Sequence, residues 1–117
     1  MNSKRGGVTL TTGSADLTVR ITTNALVRYQ DLVGESFIDG IAALQTNQSD
    51  VRRMRNMFWA GVSHIDDMTP EMAGDIMDDV GFEVALAKVS EAAELAFPPD
   101  EGSNSGNLKA GKPAKGR

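Results

Sequence analysis

At 117 residues and 12.5 kDa the chain is sized for one domain with a modest core. Twelve Lys and Arg against sixteen Asp and Glu give a formal charge of −4, which argues against a general affinity for nucleic acid. With no cysteine, disulfides, thiolate catalysis and cysteine-ligated metal are excluded.

The opening MNSKRGGVTLTT carries charge but no apolar core of signal-peptide length. No stretch approaches the roughly 20 apolar residues that span a bilayer. The expectation is a soluble, cytoplasmic protein with no membrane contact. Met1 to Gly7 read as a flexible lead-in. Val8 and Leu10, then Leu17, Val19 and Ile21, alternate with polar residues, the period of half-buried strands. Between them Thr12-Gly13-Ser14-Ala15-Asp16 supplies turn residues. A β-hairpin over 8–22 follows, with Thr9, Thr11, Thr18 and Arg20 on its wet face. Since a lone hairpin is marginal in water, its apolar side must lie on the helices that follow.

Five helices are predicted, over about 24–33, 36–45, 50–63, 70–80 and 82–97. Thr22, Thr23 and Asn24 offer caps for the first, whose apolar stripe is Ala25, Leu26, Tyr29, Leu32 and Val33. Gly34 sits where a left-handed cap belongs. Ser36 caps the second, with Phe37, Ile38, Ile41 and Leu44 inward; Gly40 weakens it by roughly 1 kcal/mol relative to alanine. Ser49 is the expected cap of the third, with Asp50 in its first turn, and Val51, Met54, Phe58, Gly61, Val62 and Ile65 form one side, widened by Met57. Thr69-Pro70-Glu71 is the clearest start signal: a side-chain acceptor, a residue with no amide to leave unpaired, then a carboxylate at the positive helix end. Met72, Ala73, Ile76, Met77 and Val80 follow before the Gly81 stop. The last helix offers Val84 or Ala85, Leu86, Val89, Ala92, Ala93 and Ala96 for packing, and Pro98-Pro99 ends it. Residues 98–117 have too few apolar side chains to offset their ordering entropy and read as a disordered, basic-ended tail. The fold class is therefore α+β: an N-terminal hairpin packed on a small bundle of four to five short helices.

Chemistry is sparse. His64, Asp66, Asp67 and Glu71 are the best metal or acid–base candidates, but one histidine on a loose turn makes no firm ligand set. Asp75, Asp78, Asp79 and Glu83 fall opposite Ile76, Met77 and Val80, where a solvated face explains them. GGVTLTTG lacks the lysine and spacing of a phosphate loop. No catalytic residue, cofactor or metal is expected. Binding residues are easier to find. Met54, Met57 and Met72 belong to a methionine-rich pair of helices, and methionine suits adaptable grooves. Phe58 and Trp59 add aromatic area. Arg52, Arg53 and Arg55 stand near a positive helix end, where they add little to helix stability and are free to serve a partner. The expected binding strip is thus Met54, Met57, Phe58, Trp59 and Met72, rimmed by the three arginines.

The order of pieces resembles the tail assembly chaperones of long-tailed phages, in the branch found in gene transfer agents. It is carried by the hairpin VTLTTGSADLTVRIT, the helix NALVRYQDLVGES ending in glycine, and FWAGVSHIDDMTPEMAGDIMDDVG with its Ala60-Gly61 step and Thr-Pro-Glu start. It covers roughly Val8 to Phe97. The resemblance implies a non-enzymatic protein that binds the tape measure protein, helps recruit tail tube subunits, and is absent from the mature particle. It implies no small-molecule substrate and no nucleic acid; a homo-oligomer is compatible with it. A structural head–tail connector or tail-completion protein is the main alternative, and a small DNA-binding regulator using Arg52 and Arg53 the next.

Overall fold

The computed structural model describes residues 7–97; the expected lead-in before Gly7 and the expected tail over 98–117 lie outside the described residues. Two strands, β1 (Val8–Thr11) and β2 (Asp16–Val19), pair antiparallel with Leu10 opposite Leu17 and Val8 opposite Val19. That register puts the four apolar side chains on one face, as the alternation requires. Five helices follow: α1 (Thr23–Val33), α2 (Phe37–Thr46), α3 (Val51–Val62), α4 (Pro70–Val80) and α5 (Phe82–Ala96). The architecture is α+β, as expected. None of these helices is long and apolar enough to cross a membrane.

Local chemistry sets most boundaries. Thr22, Ser36 and Thr69 each accept a hydrogen bond from an otherwise free first-turn amide, of Ala25, Asp39 and Met72 respectively. Gly34 ends α1 at φ 80°, in the left-handed region. One cap differs from expectation. Asp50, not Ser49, caps α3: its Oδ1 accepts from the Arg53 amide at 3.1 Å, while Ser49 turns back to Asn47. A carboxylate at this position also neutralises the positive helix end more fully than a hydroxyl.

The third helix is the hub. It packs against α1, α2, α4, α5 and β2. Its Phe58 and Val62 join Leu10, Val19, Tyr29, Phe37 and Met77 as the largest fully buried side chains. The hairpin reaches this core through a close approach: the Arg20 amide donates to the Gly61 carbonyl at 2.8 Å. This contact comes where the chain leaves the sheet after Val19, three residues short of the expected hairpin end at 22. It also leaves Thr18 and Arg20 half-buried rather than wet, with the Thr18 carbonyl 2.8 Å from His64 Nε2. At its other end the hairpin turn is held by Asp79, whose Oδ2 accepts from the Gly13 amide at 3.1 Å.

Some apolar positions expected inside are exposed: Leu32 on α1, Ile38 on α2, Val51 on α3 and Val84 on α5. Each stripe was read wider than the seam its helix shares with its neighbours. On α5 the seam selects Ala85, Val89 and Ala92.

Candidate protein-binding groove

The expected binding strip does not form one surface. Met57 is 3% exposed and Phe58 is fully buried, so both belong to the core. Met54 and Trp59 are half-buried and packed against that core. The Trp59 indole Nε1 donates to the Met68 carbonyl at 3.0 Å, tying α3 to the loop before α4. Only Met72 of the five is well exposed, at 44%. The reason is the position of α3. A helix surrounded by four others and a strand has no free apolar face, however amphipathic its sequence.

Nor do the arginines act as a common rim. Arg52 is exposed. Arg53 makes two hydrogen bonds at 2.9 Å to the two oxygens of Glu35 and a third, at 2.6 Å, to Asp50. Arg55 donates to Asn56 Oδ1, and its aliphatic stem crosses over Gly74. The Arg53 fork is part of a polar chain, because the buried Tyr29 hydroxyl donates to Glu35 Oε2 at 2.6 Å. Bonding to Arg53, and then to Tyr29, holds the Glu35 carboxyl below its ordinary range. Burial, reinforced by the bond to Glu35, pushes the Tyr29 phenol upward. The guanidinium of Arg53, bonded to Glu35, is in turn held more firmly protonated. This chain binds the end of α1, the α1–α2 loop and the start of α3 together. Beside it lies a polar notch of about 500 Å³ lined by Glu35, Asp50, Arg52, Arg53 and Asn56. Its charges are largely satisfied by each other.

The candidate metal and acid–base residues do not assemble. His64 faces the Thr18 carbonyl, and Asp66, Asp67 and Glu71 are exposed. Among the described residues no three His, Asp or Glu side chains are grouped to hold a metal ion.

What the fold does leave open is a groove between α2 and α5. The α2 helix packs on α1 and α3, and α5 packs on α3, α4 and the hairpin, so these two are not packed face to face. The gap, about 420 Å³, has Phe37 and Met57 at its floor. Ile41 and Leu44 form one wall; Leu86, Val89 and Ala93 form the other. Gln45, Gln48, Ser90 and Glu94 edge it. Apolar walls with a thin polar margin suit helix-in-groove recognition, in which anchors at i, i+3, i+4 and i+7 enter one groove. From Leu86 to Ala93 the wall runs about 10 Å, room for roughly two turns of a guest helix. Met57 is thus the one residue of the expected strip that also lines this groove. The sequence pattern points the other apolar side chains there, Phe37, Ile41, Leu44, Leu86, Val89 and Ala93, to the core, since periodicity cannot tell a filled seam from an empty one.

No model of a known protein family matches the chain, and comparison with curated proteins and with solved structures finds no match either.

Proposed function

We propose that this protein is a non-enzymatic tail assembly chaperone of the phage or gene-transfer-agent type, which holds an amphipathic helix of a tape measure protein in the α2–α5 groove. The observation that supports this reading is the groove itself: an apolar trough between two helices, about two helical turns long. A tape measure protein is long, helical and apolar along one side. Many weak engagements along one such chain add up through effective concentration and keep it from aggregating. Recruitment of tail tube subunits, work in the host cytoplasm and departure before the particle matures belong to the same proposal. The methionine at the floor fits it, because a flexible thioether adapts to guests of varied sequence.

The test is co-expression with the tape measure protein of the same gene cluster. Wild-type protein should co-purify with it. Leu44→Glu, which puts a charge on the half-buried wall, should lose the partner while keeping the circular dichroism of the fold. Equal recovery with Leu44→Glu would remove the groove from the mechanism. A stoichiometric band of this protein in purified particles would instead favour a structural connector.

A further inference from the structure

Charge is divided unevenly along the folded body. Residues 7–65 carry five arginines and five carboxylates and are formally neutral. Residues 66–94 carry nine carboxylates against Lys88 alone, a formal charge of −8. All nine carboxylates are exposed, and among the described residues the side-chain ion pairs are those of Arg53 with Glu35 and Asp50, in the other half. The α5 wall of the groove lies in the acidic half. Glu94 edges the groove, and Glu83 stands on the same side of α5, seven residues before Ser90. Among the described residues no lysine or arginine lines the groove.

We propose that the guest is a basic amphipathic helix, with Lys or Arg flanking its apolar stripe, attracted by the α4–α5 field and seated in the α2–α5 groove. This rests on the groove reading above and adds the guest's charge. The uneven field supplies approach and orientation, while the apolar walls supply retention. Two other occupants fit less well. A second copy of the chain would bring one acidic half against another. The chain's own residues 98–117 offer Leu108 as their one large apolar side chain, among four glycines and three prolines, and so no apolar helical stripe.

The probes are two synthetic helices of about 18 residues. They share one leucine stripe; one is flanked by lysine, the other by glutamate. Binding to the full chain is followed by amide chemical-shift mapping and fluorescence anisotropy. The lysine peptide should shift amides of α2 and α5, and weaken roughly tenfold between about 50 and about 500 mM salt. It should weaken again with Glu83→Gln plus Glu94→Gln, while Asp75→Asn, remote from the groove, should matter less. Leu44→Glu separates seating from mere attraction: it adds negative charge, so simple electrostatic sticking would strengthen, whereas a seated helix is lost. Equal binding of both peptides, salt-independent binding, or shifts mapped to the α3–α4 side would overturn the proposal. So would a Leu44-dependent dimer in sedimentation, or tighter peptide binding after deletion of 98–117, which would name the second copy or the tail as occupant. A seated lysine peptide with no tape measure capture would sink the functional reading alone. Tape measure capture that depends on Leu44 but ignores salt and charge would sink this inference alone.

Discussion

Gly40 and Gly61 show how a single missing methyl positions the fold. A Cβ on Gly40 would lie 2.7 Å from the Tyr29 hydroxyl oxygen and 3.0 Å from Glu35 Oε2. Both partners are already bonded to each other, so neither yields cheaply. A Cβ on Gly61 would lie 2.7 Å from Val19 Cγ1, in the seam where the hairpin meets α3. In an exposed helix, glycine to alanine adds roughly 1 kcal/mol of stability. At these two sites overpacking outweighs that gain, and Gly40→Ala and Gly61→Ala should each lower stability by about 1–3 kcal/mol in urea unfolding. A rise in the midpoint for either would mean the contact relaxes freely. Trp59 carries a related lesson. Its indole is packed on the core and bonded to the Met68 carbonyl, so Trp59→Ala should destabilise by about 3 kcal/mol or more rather than act only on binding.

At the scale of elements, capping chemistry was mostly readable in the chain. Ser36 and Thr69 are identifiable because each is an acceptor just ahead of an apolar periodicity, while Thr22 is one of three adjacent acceptors, with Thr23 and Asn24, among which the fold chooses. Ser49 and Asp50 are both good caps one residue apart, and the choice between them depends on Arg53, which bonds the Asp50 carboxylate through both its amide and its guanidinium. Asp50→Ala should therefore cost about 1–2 kcal/mol, and Ser49→Ala only a few tenths, in thermal or chemical unfolding. Comparable losses for the two would restore Ser49 as the cap. The faces of the helices were harder to read. Leu32, Ile38 and Val51 satisfy the helical period as well as Ala25, Phe37 and Phe58 do, yet only the latter are buried.

For the whole molecule, pH acts through the polar chain linking α1, the α1–α2 loop and α3. The Glu35 carboxyl titrates lower in the folded state than in the unfolded chain. Its contribution is therefore present above the unfolded value of 4.5 and is lost as pH falls through the depressed folded value. The Tyr29 phenol titrates higher when folded, so its contribution is present below 10.0 and is lost as pH rises beyond that. Stability measured by urea unfolding should thus fall at both ends. Glu35→Gln should flatten the acid limb, and Tyr29→Phe the alkaline limb. An acid limb unchanged by Glu35→Gln would place the acid sensitivity in other carboxylates.

By itself the sequence determined the periods, most of the caps, the stops and the composition, and hence a hairpin followed by five helices in the right order. These are local properties, encoded by neighbours within a few residues of each other. The tertiary structure alone decided which apolar stripe is covered. Burial depends on elements distant in the chain: α3 is drawn into the centre, taking Met57 and Phe58 from the expected surface, and α2 and α5 are left apart, so that Ile41, Leu44, Leu86 and Ala93 line a gap. An apolar face carries the same pattern whether its partner is already in the chain or still to arrive.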